Sequence, residues 1–164
     1  MSHTPNDEIL DIARELFAEA YEGACDDWTW FVNHGPDGGI FGTIEPLAAE
    51  QASAVPDGCQ RSIAAHVEHL RWWLANVNGV ARGEAWDPDW STSWSVQSVD
   101  ADQWNELRDA LRREYEGVIA ALRSIPSISD RQMLMGICSM APHAAHHLGT
   151  IRQMAKQIGV SSEQ

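Results

Sequence analysis

Apolar residues recur every three or four positions in four long segments of the chain, and this period predicts four amphipathic helices. The first segment follows Thr4 and Pro5, which suit the cap and the first position of a helix. Its pattern allows the helix to continue through residues 28–32. The stretch rich in glycine and proline at residues 35–39 must end it.

The same period predicts three further long helices. They cover residues 60–78, residues 100–124 and residues 130–158. The helix over residues 100–124 opens on a capping-box pattern, and the helix over residues 130–158 precedes Gly159, which suits a helix stop. No segment shows the alternation that is typical of a half-buried strand.

Two long connections separate the first three helices. Residues 40–60 predict a loop that contains one short helix. Residues 79–99 form a connection rich in tryptophan, with Trp86, Trp90 and Trp94. A connection of this length either covers a site or is held by its tryptophans against the outside of the helices. The sequence leaves both interpretations open.

Four long helices without strands predict an all-α protein, a four-helix bundle with long connections between helices 1 and 2 and between helices 2 and 3. The length of 164 residues fits one domain, residues 1–164, with a sizeable core. Hydrophobic residues make up 44% of the chain and charged residues 21%, as in ordinary globular proteins.

The chain is strongly acidic, with 24 Asp and Glu against 11 Lys and Arg and a formal net charge of −13. Nucleic acids and anionic membranes attract clustered basic residues, so this balance argues against both as partners. The first residues lack the pattern of a secretory signal, and no run is apolar enough to span a membrane. The 3 cysteines form no Cys-x-x-Cys pair. We therefore expect a location in the reducing cytoplasm.

Histidine is frequent and unevenly placed. Five of the 7 histidines fall into two groups, His66 with His69 and His143 with His146 and His147. On an ideal wheel, His147 lies in the middle of the apolar stripe of the last helix, His143 about 40° from it and His146 about 100° from it. His143 and His147 are therefore an i, i+4 pair that faces the core and can chelate one ion.

The second long helix, which carries His66 and His69, offers a third ligand. His66 lies about 40° from the apolar centre of that helix and His69 about 100°, so the wheel favours His66. Three imidazoles with open positions suit Zn²⁺, Ni²⁺ or a similar ion and leave room for water or substrate. The alternative is a set of core histidines satisfied by hydrogen bonds.

Other residues near the histidines allow two interpretations each. Glu68 points away from the core on the wheel, which favours a solvated carboxylate over a general base. Asp26 and Asp27 are either partners of ligand imidazoles or solvated surface residues. Trp73 faces inward and either lines a pocket or packs in the core. Pro142 either bends the last helix or is tolerated by the packing.

Two segments carry a resemblance to a known family: SIAAHVEHL at residues 62–70 and HAAHHLG at residues 143–149. With the order of the helices and the long second connection, they make the chain similar to the DinB/YfiT-like family over nearly its whole length. The resemblance implies a four-helix bundle with a site for a divalent metal. It implies three ligands, His69, His143 and His147, with His66 as the alternative to His69. Leu148 stands where that family often has an arginine, so no role carries over to this position.

The resemblance also implies a function. Members of the family resemble metal-dependent S-transferases that use low-molecular-weight thiols such as bacillithiol or mycothiol, and some resemble hydrolases or isomerases. We therefore expect an enzyme with a zinc or nickel ion, a thiol cosubstrate and a small-molecule substrate. We also expect the protein to form a homodimer. The alternatives are a stress-response or binding module with a structural or vestigial metal site, and an interaction bundle without metal.

Overall fold

The structure is a computed structural model that describes residues 5–24, 27–35, 38–125, 127–128 and 130–160. In these ranges the chain is all-helical and forms no strand. One 3₁₀ turn, Trp90–Thr92, accompanies six α-helices: α1 Pro5–Glu22, α2 Ile40–Ile44, α3 Ala49–Ser53, α4 Ile63–Ala81, α5 Ala101–Ser124 and α6 Arg131–Gln157. The proposed cap Thr4 lies outside the described residues.

The first helix is shorter than the pattern allows, and its extension through residues 28–32 is wrong. α1 ends at Glu22, and Gly23 follows with a φ of 89°, a conformation that glycine adopts without strain. Beyond this point the buried carboxylate of Glu19 accepts hydrogen bonds from the backbone N–H groups of Trp30, Phe31 and Val32. The carboxylate therefore satisfies donors that a continued helix would have used.

Two short helices, rather than the one predicted, lie between α1 and α4. α2 ends at Ile44, just before Pro46, which lacks the backbone N–H that a continued helix would need. α3 begins at Ala49, and the side chain of Gln51 accepts a hydrogen bond from the backbone N–H of Ala48. Both helices are too short to be stable alone, and their buried residues join the main core.

The remaining three helices lie within a few residues of their predicted ranges because local caps define them. Ser62 caps α4 by accepting from the backbone N–H of Ala65 at 3.1 Å. Asp100 and Gln103 form the predicted capping box of α5, and Asp130 accepts from the backbone of Gln132 at the start of α6. The caps of α4 and α6 set where the two histidine-bearing helices begin.

The four long helices share one hydrophobic core. α4 packs along α5 and α1 along α6, and α6 also contacts α4. The large buried side chain Trp104 donates its indole N–H to the carbonyl of Leu47 at 2.7 Å, which ties α5 to the segment between α2 and α3. No described helix combines the length and the apolar character that crossing a membrane requires. The contact between α4 and α6 brings the two histidine groups together.

Side-chain hydrogen bonds fix the connection between α4 and α5 to the surface of α4. Ser62 donates from its hydroxyl to the carbonyl of Gln97, and the indole N–H of Trp72 donates to the hydroxyl of Thr92 at 3.0 Å. Between these two attachments the connection passes over the histidines. Trp94 is thereby placed against α4.

Candidate metal centre

Three histidines from two helices converge at the contact between α4 and α6. One nitrogen from each of His69, His143 and His147 lies within 4.8 Å of the other two. The ring centroids are 5.5 Å apart for His69 and His143, 4.9 Å for His69 and His147, and 4.8 Å for His143 and His147. Such a group can hold one metal ion. We refer to these three residues as the histidine triad.

The local sequence explains how α6 presents its pair. His143 and His147 are one helical turn apart and so lie on the same face, with the fully buried Ala144 packed beside them. α6 continues through Pro142, so the proline does not end the helix. The hydrogen bond that Pro142 cannot donate would have gone to the carbonyl of Cys138, an exposed residue whose carbonyl water can solvate.

Two nitrogens of the triad have no hydrogen-bond partner among the described residues. They are Nδ1 of His69 and Nδ1 of His143, and both atoms are buried. A buried polar atom without a partner is costly, and it usually marks a missing water or ion. The donor set therefore fits a bound metal ion.

His66 lies beside the triad rather than in it. Its Nδ1 is 2.9 Å from Nδ1 of His147, a hydrogen-bond distance, and the two ring centroids are 5.2 Å apart. The group that can hold an ion contains His69, the residue implied by the family resemblance, in place of His66, the residue that the wheel favours. His146 is exposed, and its ring meets that of His147 edge to face with a centroid separation of 5.2 Å.

Two tryptophans line the triad. Trp94 stacks on His69 with a centroid separation of 4.1 Å and an interplanar angle of 12°. The ring centroid of Trp73 lies 4.6 Å from that of His143. Trp73 is buried, as the wheel predicts. The guanidinium of Arg61 lies 4.2 Å from the centre of the Trp94 ring, a cation–π contact. Trp94 is thereby held between a cation and a triad imidazole.

The other two tryptophans of the connection have different positions. Trp90 contacts Trp72 on the outside of α4, with ring centroids 5.2 Å apart. Trp86 is half exposed. Both interpretations of the connection therefore hold in part, since Trp94 covers the triad and Trp90 packs against the outside of the helix.

Burial keeps the triad imidazoles neutral at pH 7. The pKa of His143 is lowered to about 4 and that of His147 to about 2, and desolvation is the largest cause, with the neighbouring imidazoles second. Burial also lowers the pKa of His69, and it lowers the pKa of His66 to about 4. Neutral imidazoles have the free lone pair that a metal ligand needs.

The nearby carboxylates do not join the triad. Glu68 is 7% exposed, and both of its oxygens accept from the guanidinium of Arg71 at 2.7 Å, so the expected solvated carboxylate is wrong. Asp27 is exposed, and Asp26 lies outside the described residues. Within the described part of the chain, the ligand group contains no carboxylate or thiolate. This group would therefore give a bound ion only neutral protein ligands.

Two contacts of this site could not be predicted from the sequence. Trp94 is distant from the histidines along the chain, and only the folded connection brings it onto His69. The contact between His66 and His147 likewise depends on the packing of α4 on α6. The Glu68–Arg71 pair did have a signal, the i, i+3 spacing of opposite charges.

Comparisons of the chain with protein-family models, with curated proteins and with solved structures find no match in any of the three. The case for a function therefore depends on the triad itself.

Proposed function

We propose that this protein binds one divalent metal ion, with Zn²⁺ or Ni²⁺ as the favoured ions, through His69, His143 and His147. The observation that carries the proposal is the convergence of three neutral imidazoles, with one nitrogen of each within 4.8 Å of the other two. Two of the imidazoles have a buried Nδ1 that lacks a partner among the described residues. Imidazole nitrogen is a preferred ligand of both ions. A bound ion would satisfy the two unpartnered atoms.

The ligand count favours a catalytic centre over a purely structural one. Structural zinc sites have four protein ligands, whereas three protein ligands leave a position for water or substrate. A divalent ion held by these three histidines would lower the pKa of water or of a thiol, and so would supply hydroxide or thiolate at neutral pH. We therefore propose a metal-dependent S-transferase that uses a low-molecular-weight thiol, or a related hydrolase, on a four-helix bundle of the DinB/YfiT-like type.

The chain's own residues would shape the reaction site. The three imidazoles hold the ion without adding negative charge, which favours an anionic ligand at the open position. Trp94 and Trp73 flank the triad with apolar rings, which would limit the access of water. A thiolate is less strongly hydrated than hydroxide, so a site with apolar walls suits it well.

A second candidate function is a binding or stress-response module with a structural metal. The observation that favours it is burial, since His69 is 6% exposed and His147 is 4% exposed. A chelator would then lower the melting temperature strongly, and no pair of thiol and electrophile would be turned over. Turnover that is lost on chelation and restored by Zn²⁺ or Ni²⁺ would support the enzyme instead.

Metal analysis of protein made without a histidine tag tests the binding proposal. We expect close to one divalent ion per chain in the parent protein and a large loss in His147→Ala. His146→Ala is the matched control, because it removes an exposed histidine from the same helix, and it should keep the parent's metal content. A metal content well below one that is the same in all three proteins would refute the proposal.

A further inference from the structure

The hydrogen bond between His66 and His147 restricts how His147 can bind a metal ion. The two Nδ1 atoms are 2.9 Å apart, so one of them carries the shared proton and the other accepts it. Nδ1 of His147 is occupied in either case. Only Nε2 of His147 remains for an ion.

The direction of this hydrogen bond follows from that restriction. A metal-bound Nε2 carries no proton, so a neutral His147 must hold its proton on Nδ1. Nδ1 of His147 then donates, and Nδ1 of His66 accepts. The opposite arrangement would place a proton on Nε2 of His147 and block the ligand position.

We infer that His66 is a positioning residue that holds His147 in the Nδ1–H tautomer and directs its Nε2 toward the metal ion. This inference rests on the proposed metal binding by the triad. His66 itself does not ligate the ion, because a neutral ring that accepts at Nδ1 carries its proton on Nε2, and the ligand group does not include it. Ligand imidazoles commonly donate their second N–H to a carboxylate, a carbonyl or water. Here the acceptor is a neutral imidazole.

The surroundings of His66 suit this role. It lies on α4 one turn before His69, so the helix that supplies one ligand also orients a second ligand on α6. The ring of Trp94 meets that of His66 edge to face, with a centroid separation of 5.3 Å and an angle of 86°. This contact and the hydrogen bond fix the His66 ring from two sides. A neutral acceptor also leaves the full charge of the ion available to an anionic ligand.

Metal affinity measured on three variants separates positioning from ligation. The variants are His66→Ala, His66→Asn and the control His146→Ala, each made without a tag and titrated with Zn²⁺ and Co²⁺ against a competing chelator. We expect His66→Ala to weaken binding by about 10- to 100-fold, the usual effect of removing an outer partner of a ligand imidazole. The stoichiometry should stay at one ion, and the Co²⁺ absorption bands should keep their shape.

The conservative variant supplies the specific readout. The amide oxygen of Asn lies close to the position of the imidazole Nδ1 and can accept the same hydrogen bond, so His66→Asn should recover most of the affinity. His146→Ala should bind as the parent does. Parent affinity in His66→Ala would overturn the inference. So would Co²⁺ bands that change shape in both His66 variants, because His66 would then be a ligand.

The tautomer of His147 can be read in the metal-free protein. Long-range proton–nitrogen NMR spectra of the parent should show the proton of His147 on Nδ1, and His66→Ala should lose this preference. A proton on Nε2 in the parent would overturn the inference even if the triad binds metal. A parent protein that binds no ion would instead refute the proposed function, and the NMR result would still decide the direction of the hydrogen bond.

Discussion

At the level of single residues, the Glu68–Arg71 pair shows how a charged side chain next to the triad can be buried. The carboxylate lies almost fully out of solvent, and the guanidinium covers it in a bidentate contact. On a helical wheel Glu68 faces away from the apolar stripe, and the wheel does not include the side chain that folds over it. The pair therefore keeps a negative charge near the triad engaged with a cation.

Removing the cation should destabilise the fold. Arg71→Met leaves the Glu68 carboxylate buried without its partner, and we expect a loss of about 2 kcal/mol in the free energy of unfolding, since Arg71 is itself partly exposed. Adding Glu68→Gln to this variant should recover part of the loss, because the uncompensated charge is gone. Urea denaturation measures both effects.

The matched control for this prediction is the pair formed by Arg82 and Glu84. Both of these side chains are more than 60% exposed. Arg82→Met should cost only about 0.5 kcal/mol or less, as is usual for a surface ion pair. Equal losses in Arg71→Met and Arg82→Met would contradict the assignment of Glu68 as a buried partner.

At the level of helices and connections, local signals predicted the elements that depend on local chemistry. The cap at Asp100 and the apolar spacing of α4 and α6 determine these helices closely, and the spacing of His143 and His147 alone identifies two residues of the triad. The end of α1 was not predictable in this way, because the Glu19 carboxylate binds backbone groups more than ten residues ahead. The position of Trp94 over His69 likewise depends on bonds between distant segments.

The connection between α4 and α5 should control access to the triad. Trp94→Ala removes the ring that stacks on His69 and ends the contact with Arg61. We expect the variant to lose its metal to a chelator several-fold faster than the parent, because water and chelator reach the exposed face of the imidazole. Stopped-flow mixing of the metal-loaded protein with a coloured chelator measures the rate.

Trp86→Ala is the control for this experiment. Trp86 belongs to the same connection but is 50% exposed, and no ring contact joins it to the triad. Its removal should leave the rate of metal loss unchanged. If Trp94→Ala released metal no faster than Trp86→Ala, the connection would not act as a cover.

At the level of the whole molecule, folding places four imidazoles in surroundings that oppose protonation. His66, His69, His143 and His147 all have a pKa below the unfolded value of about 6.5 because burial disfavours the charged form. At acidic pH the unfolded chain binds protons that the folded chain does not. Stability is therefore fully present above about pH 6.5 and is lost as the pH falls toward the folded values.

The metal-free protein should thus become less stable between pH 7 and pH 5.5. Most carboxylates stay ionised in this window, so the net charge of −13 changes mainly through histidine. Thermal melts in the presence of a chelator should show a falling midpoint, and the fall should be smaller in His147→Leu because one buried titrating group has been removed. If His147→Leu kept the slope of the parent protein, the acid sensitivity would arise outside the triad, and the buried imidazoles would not couple folding to pH.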